Sequence, residues 1–196
     1  MGTQSNEKDI LSVIDEEVSQ SKIKHELHYR IGEHLKSVEF ENVQKVIDPA
    51  CGGKQNISLF LKEDKSNDNE ICNVDFMMLK NNRIKIIIEI EEANIKPTQI
   101  LGKFMASALA KFYIHKTNNN LKIPMADNVC FIQILDTTKL EKNSKKRKQW
   151  ENIEIAIKEI LPSLKSNIKI YRLFYGKLTD INLNEITQFI KNELEK

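Results

Sequence analysis

The sequence has few cysteines and no long apolar segment. The first feature argues against disulfide-rich and cysteine-based zinc proteins, and the second argues against a membrane-spanning protein. Its three cysteines, Cys51, Cys72 and Cys130, are odd in number and show no CxxC spacing, so neither a disulfide framework nor a cysteine-based zinc site is predicted. No uninterrupted apolar segment approaches the roughly 20 residues needed to cross a bilayer. Residues 1–9 are polar and lack the apolar centre of a signal peptide. We therefore expect a cytoplasmic protein.

The chain also lacks a strong excess of charge of either sign. Its 30 basic and 28 acidic residues leave a net charge of +2, which is typical of a soluble globular protein. This balance does not exclude a nucleic-acid partner, because an acidic metal centre would offset a local basic surface in the sum. Repeats and low-complexity linkers are absent from the 196 residues. We expect a single domain with a core at about 21–175 and appended N- and C-terminal helices.

Hydrophobic periodicity predicts a mixed α/β (α+β) fold, with a mixed sheet flanked by helices. Apolar residues at helical spacing predict one N-terminal helix from Ile10 to Val18 and a second over about 21–37. Strands are predicted at 43–48, 57–62, 129–135 and 168–175, and further helices at about 98–115, 150–161 and 183–194.

The segment 72–103 contains three carboxylates that its predicted strands bring together. Asp75 lies on the first strand of a hairpin, and residues 83–91 form the second after an asparagine turn. Glu89 and Glu91 share one face, because strand side chains alternate. A strand so rich in isoleucine is expected to be central, where carboxylates need a counter-charge, hydrogen bonds or a metal such as Mg²⁺. The alternative is a solvated strand exit.

The pattern of Asp75, one hairpin and then Glu89-Ile90-Glu91 resembles the catalytic signature of the PD-(D/E)XK nuclease superfamily, and most closely its type II restriction endonucleases. That family usually has Lys at the last position, where this chain has Glu91. The predicted order of elements over roughly 23–134 matches the αβββαβ core that the resemblance implies. The resemblance further implies a restriction-endonuclease-like fold and Mg²⁺-dependent hydrolysis of DNA phosphodiester bonds, with Mn²⁺ as a substitute metal.

The resemblance also implies roles for individual residues. Asp75 and Glu89 are the expected metal ligands, and Glu91 is expected to ligate a second metal or orient the attacking water. A Glu from the first helix often joins the site in this family; Glu33 and Glu26 are the candidates, and Glu33 is included in the predicted metal set. An ion-paired helix face is the alternative for both.

Lys103 completes the predicted catalytic set of Asp75, Glu89, Glu91 and Lys103. It falls in the first turns of the helix after the Glu91 strand, where it would replace the missing motif lysine; a solvated helical lysine is the alternative. Three histidines on the predicted helix over about 21–37, His25, His28 and His34, are expected to be surface or interfacial residues. Their i,i+3 and i,i+6 spacings do not bring all three together, and no other Cys or His completes a site.

Basic residues in two places suit the phosphates of double-stranded DNA. Lys54 follows a Gly-Gly turn that lacks P-loop spacing. The segment 139–148 carries Lys142, Lys145, Lys146, Arg147 and Lys148, and such clusters release counterions on binding DNA; a solvated helix start is the alternative.

A restriction enzyme that reads a two-fold DNA site is expected to be a homodimer. Two other functions stay open on the sequence alone. One is a structure-specific repair nuclease. The other is a catalytically inert nucleic-acid or protein-binding module, in which Glu91 marks lost activity.

Overall fold

The chain forms one open mixed sheet with helices packed on both faces. The computed structural model describes residues 25–92, 95–115, 119–141 and 143–196, so the helix predicted at Ile10–Val18 lies outside the described residues. Within the described residues, eight strands and four α-helices make up the fold. The predicted mixed α/β class is confirmed.

The helices are α1 (Glu26–Ser37), α2 (Pro97–Leu109), α3 (Lys146–Ile160) and α4 (Leu183–Glu195). The strands are β1 (Val43–Ile47), β2 (Ile57–Phe60), β3 (Glu70–Val74), β4 (Phe76–Lys80), β5 (Arg83–Glu91), β6 (Phe112–His115), β7 (Leu121–Asp136) and β8 (Ile168–Gly176). Short 3-10 turns occur at Pro49–Cys51 and Leu161–Ser163.

Strand β5 is an interior strand of the sheet, with a neighbour on each side, as its isoleucine content predicted. It pairs antiparallel with β4 and parallel with β7, while β1 extends the sheet beyond β4 and β8 extends it beyond β7. The β4–β5 hairpin turns at Asn81 and Asn82, whose φ angles of 53° and 56° lie in the left-handed region that asparagine tolerates better than most residues. The predicted antiparallel hairpin is confirmed.

The alternation of β5 side chains divides the core into two layers. Ile86, Ile88 and Ile90 pack on the side of α1 and α4, together with the α1 residues Leu27 and Ile31. Ile87 packs on the opposite side, in the layer that contains Phe104 of α2 and Trp150 of α3. Glu89 and Glu91 therefore belong to the α2 side of the sheet, because they alternate with the isoleucines of the α1 side.

The helix predicted over 98–115 was wrong at its C-terminal end. Helix α2 stops at Leu109, and residues Phe112–His115 form β6, which pairs with β2 and β7. The aromatic and β-branched residues of β6 favour a strand, and two neighbouring strands supply its hydrogen bonds. Strand β7 is also longer than the predicted 129–135, because its first residues pair with β6. None of the helices in the described ranges has the length and apolarity of a transmembrane span.

Candidate active site

The candidate site lies at the carboxyl end of β5. Because β5 and β7 are parallel, their carboxyl ends meet at one edge of the sheet, where Glu91 lies beside Leu135. Asp75 immediately precedes β4. The β4–β5 register pairs Phe76 with Ile88, so one further step along each strand places Asp75 beside Glu89. The fold therefore brings two carboxylates together across neighbouring strands.

Glu89 is a buried carboxylate with one satisfied oxygen. Its side chain is 0% exposed, and its Oε2 accepts a 2.7 Å hydrogen bond from Lys103 Nζ. Its Oε1 is buried and has no hydrogen-bond partner among the described residues. Burial raises the pKa of Glu89 well above its ordinary value, and the neighbouring Asp75 charge raises it further, although Lys103 opposes both effects. A buried acceptor without a donor costs free energy unless a proton or a cation occupies it.

The packing of α2 on the sheet places Lys103 beside the acids. Ile100 and Phe104 are fully buried on the Glu89 side, and Lys103 lies between them on the helix. Its Nζ lies 2.7 Å from Glu89 Oε2 and 3.4 Å from Glu91 Oε1. Burial lowers the pKa of Lys103, but the charges of Glu89, Asp75 and Glu91 outweigh burial and raise it above its ordinary value. Lys103 is thus a charged partner of all three predicted acids.

Asp75 is held by groups from two different elements. Its Oδ2 accepts a 2.7 Å hydrogen bond from the Ile90 backbone N–H and lies 3.6 Å from His28 Nε2 on α1. Burial alone would raise the pKa of Asp75; His28, Lys103 and the Ile90 N–H together lower it below its ordinary value. Asp75 is therefore an ionised, oriented carboxylate.

His28 contacts the acids directly, so its prediction as a surface or interfacial residue was wrong. The residue is 8% exposed. Its backbone N–H and its ring Nδ1 both contact Glu92 Oε1, at 2.8 Å and 3.0 Å. Burial lowers the pKa of His28, but Asp75 and Glu92 outweigh burial and raise the pKa to about 9. A buried histidine between two carboxylates is favoured as an imidazolium.

Glu33, the predicted third metal ligand, is not brought to Asp75. It forms a 3.2 Å ion pair with Lys36 on the same helix, and its side chain is 43% exposed. Five residues separate Glu33 from His28, which places the two side chains about 140° apart around an α-helix. Since His28 faces Asp75, Glu33 lies on another face. Glu26, the other candidate, is exposed in the first turn of α1.

A second cluster adjoins the acids. Among the described residues, His25, His28 and Glu92 form a group whose ligand atoms all lie within 4.8 Å of one another. His34 is not part of it, because His34 Nε2 contacts Thr187 Oγ1 on α4 at 2.8 Å. The three histidines do not all come together, as their spacing predicted, but His25 and His28 do, and Glu92, which was not predicted, completes the donor set.

Comparison with known proteins gives no relative. No family model matches the chain, and no curated protein or solved structure is significantly similar to it. The function is therefore inferred from the side chains gathered at this edge of the sheet.

Gln133 is a buried polar residue that sequence reasoning missed. It lies beside Glu89 in the β5–β7 register, is 0% exposed, and accepts a 2.6 Å hydrogen bond from Tyr171 through Oε1. Its Nε2 has no partner among the described residues. A glutamine inside the apolar run Phe131–Leu135 was the available signal, because buried polar groups are normally paired.

The predicted DNA-contacting residues fall in two places. Lys146 and Lys139 line a small cavity together with Glu92 and Trp150, so the basic segment reaches the acidic cluster. Lys145 and Arg147 are exposed at the start of α3, and Lys142 lies outside the described residues. Lys54 is exposed and lines a separate groove, with Lys36, Lys45 and His115 among its other residues.

Proposed function

We propose that this protein is a metal-dependent deoxyribonuclease of the PD-(D/E)XK type, which hydrolyses phosphodiester bonds in double-stranded DNA in the manner of a restriction endonuclease. The observation that carries the proposal is Glu89, whose buried Oε1 has no hydrogen-bond partner in the part of the chain that the structure describes, while Asp75 and Lys103 flank the same side chain. Buried acids kept beside one another at the open edge of a sheet are costly to folding, and such sites are typically functional.

The residues present fit a hard divalent cation such as Mg²⁺. Asp75, Glu89 and Glu91 offer the oxygen donors that such an ion takes. Within the described ranges nothing donates to Glu89 Oε1, and the Asp75 carboxylate neighbours the Glu89 carboxyl group. When bound, Mg²⁺ or Mn²⁺ supplies an activated water and a positive charge for the developing oxyanion. Asp75 and Glu89 are the proposed ligands. Glu33 is not a proposed ligand, because it lies on a different face of α1 from His28, which faces Asp75.

The other roles in the proposed reaction are assigned to side chains and a backbone N–H of the protein. Lys103 holds a positive charge beside Glu89 and Glu91, where it takes the electrostatic role of the motif lysine toward the scissile phosphate. We assign to Glu91, at the exit of β5, the role of orienting the attacking water. His28 and the Ile90 N–H fix the ionised form and the direction of Asp75. The replacement of the motif lysine by Glu91 is compensated in this scheme by a lysine from the following helix.

Basic residues next to the acids support DNA as the substrate. Lys139 and Lys146 share a cavity with Glu92, and Glu92 contacts His28 of the acidic cluster. Two further cations of the same segment, Lys145 and Arg147, are exposed at the start of α3. Clustered cations close to a proposed anionic metal centre favour a phosphodiester backbone as the ligand.

Plasmid cleavage tests the proposal with a matched pair of variants. Supercoiled plasmid is incubated with the protein and Mg²⁺, Mn²⁺ or EDTA, and the products are separated by electrophoresis. We expect cleavage with metal alone, its loss in Glu89→Gln, and its retention in Glu63→Gln, which removes an exposed acid paired with Lys122. Cleavage that survives in a folded Glu89→Gln protein contradicts the site assignment.

The pattern of products distinguishes the kinds of nuclease. Discrete fragments indicate restriction-type cutting, whereas nicking confined to branched or damaged duplexes indicates a repair enzyme. DNA binding without cleavage under any metal indicates an inert module and refutes the nuclease proposal. Light scattering of the purified protein tests the homodimer that restriction of a two-fold site calls for.

A further inference from the structure

A metal site of a different kind adjoins the proposed nuclease centre. We propose that His25, His28 and Glu92 form a binding site for a late first-row divalent ion of the Zn²⁺ class, separate from the oxygen-donor site of Asp75 and Glu89. Two imidazoles and one carboxylate are a donor set that Zn²⁺ takes in proteins, with water in the fourth position. Mg²⁺ prefers oxygen donors, so the two sites select different metals.

The backbone brings the three ligands together from two elements. His25 and His28 lie three residues apart at the start of α1, so their side chains occupy neighbouring positions on the helix, with ring centroids 5.3 Å apart. Glu92 follows the last residue of β5 and reaches the same helix end. Its Oε1 lies 3.0 Å from His28 Nδ1, and its Oε2 lies 3.9 Å from His25 Nδ1.

The ligand atoms need little movement to close around an ion. Zn²⁺ holds nitrogen and oxygen ligands at about 2 Å, and the three donor atoms already lie within 4.8 Å of one another. The side chain of His25 is 39% exposed, so its ring is free to turn toward the other two. The exposed side of His25 also leaves room for a water ligand.

The second nitrogen of His28 already has the neighbour that a metal-binding histidine requires. Its Nε2 lies 3.6 Å from Asp75 Oδ2, and ligating histidines typically direct their other N–H toward a carboxylate. Glu92 is likewise anchored, because its Oε1 accepts from the His28 backbone N–H at 2.8 Å. An ion held by His28 Nδ1 and Glu92 would take the place of the proton between these two groups, and His28 Nε2 would keep its proton toward Asp75.

Metal titration of the full-length protein tests the site without reference to cleavage. The protein is stripped with EDTA, exchanged into chelator-free buffer, and titrated with Zn²⁺ in a calorimeter and with Co²⁺ while its visible absorption is recorded. We expect one equivalent of either ion per chain and a Co²⁺ spectrum typical of nitrogen–oxygen coordination. His25→Ala and Glu92→Gln should each weaken binding by about tenfold or more. His34→Gln should not, because His34 lies on the same helix but contacts Thr187.

The Glu89→Gln variant distinguishes Zn²⁺ binding at this site from metal binding at the proposed nuclease centre. It lacks a proposed Mg²⁺ ligand but keeps His25, His28 and Glu92, so it should bind Zn²⁺ as tightly as the unaltered chain. Zn²⁺ binding that is lost in Glu89→Gln, or that is unchanged in both His25→Ala and Glu92→Gln, places the ion elsewhere and overturns the proposal. Failure of the wild-type chain to take up Zn²⁺ and Co²⁺ overturns it as well, whether or not the protein cleaves DNA.

Discussion

Lys103 Nζ lies 2.7 Å from Glu89 Oε2, and this contact joins the centre of the sheet to the helix that follows it. Glu89 is fully buried, whereas Lys103 is 35% exposed. The carboxylate of the pair is therefore shielded from solvent, and the lysine is partly accessible to it. In the proposed nuclease, this pair supplies the fixed positive charge that faces the substrate. It also makes the stability of the protein depend on both partners being present.

The first prediction concerns the removal of Lys103. Lys103→Met leaves Glu89 buried without its cation, and loss of one partner of a fully buried pair costs about 3–5 kcal/mol. Because Lys103 is partly exposed, solvent screening reduces the expected loss in the free energy of unfolding to about 1–2 kcal/mol. Urea denaturation at pH 7 measures it.

The double variant Lys103→Met/Glu89→Gln is the control for this prediction. It removes both charges and should recover most of the lost stability without recovering cleavage, because neither the metal ligand nor the lysine is present. A double variant that is no more stable than Lys103→Met would show that the two side chains are not energetically coupled.

The second prediction concerns pH and His28. The pKa of His28 is raised from about 6.5 to about 9 by Asp75 and Glu92. The protonated ring therefore stabilises the fold fully below pH 6.5, and this contribution is lost as the pH rises through 9. The shift corresponds to a loss on the order of 3 kcal/mol. Glu89 also makes the protein less stable as the pH rises, since its pKa is raised in the folded state.

Thermal denaturation in EDTA between pH 6 and pH 10 checks the His28 prediction. The unaltered chain should lose stability over this interval, and His28→Asn should show a shallower loss because it has no ring to titrate. A His28→Asn protein with the same pH profile as the unaltered chain would assign the loss to other groups.

The sequence was sufficient to predict the β4–β5 hairpin and the face shared by Glu89 and Glu91, because local signals determine both, whereas the role of these acids as metal ligands stays a prediction. The isoleucines of β5 and the asparagine turn specify the β4–β5 hairpin, and alternation then fixes the face of Glu89 and Glu91. Lys103 was also predictable, since a helix after a central strand returns across the end of that strand. All of these features depend on short separations along the chain.

The roles of His28 and Glu33 were not predictable in the same way. Both residues lie on α1, and the hydrophobic stripe Leu27, Ile31 and Leu35 fixes which side of the helix faces the core without specifying what lies beside it. His28 contacts Glu92, 64 residues later, and such a pairing depends on tertiary packing. The early end of α2 has the same cause, because β6 exists through its pairing with β2 and β7.

The third prediction concerns the basic segment at the start of α3. Lys145→Ala/Lys146→Ala/Arg147→Ala removes three cations of the basic segment, of which Lys146 shares a cavity with Glu92, and should weaken duplex binding for every sequence. Each lost phosphate contact should reduce the slope of log K against log salt by about 0.9. Fluorescence anisotropy over a series of salt concentrations measures both quantities. Lys65→Ala/Lys158→Ala, which removes two cations from other surfaces, should leave the slope unchanged.

The fourth prediction concerns the packing that holds His28 against Asp75. Gly32 lies one turn beyond His28 on α1, and a Cβ built on it would lie 2.0 Å from the Cys51 carbonyl oxygen. Gly32→Ala must therefore push α1 away from the turn that follows β1, at an expected cost of about 1–3 kcal/mol for overpacking. Gly102→Ala is the matched control on α2, because a Cβ there meets nothing within 4 Å. It should raise stability by about 0.5–1 kcal/mol.

The two glycine variants also test the effect of the position of α1 on cleavage separately from the effect of the acids, because neither substitution changes a charged group. If His28 orients Asp75, displacement of α1 in Gly32→Ala should reduce metal-dependent cleavage under conditions where the protein is still folded. Gly102→Ala should cleave as the unaltered chain does. Full cleavage by a folded but destabilised Gly32→Ala protein would show that the position of α1 does not control Asp75.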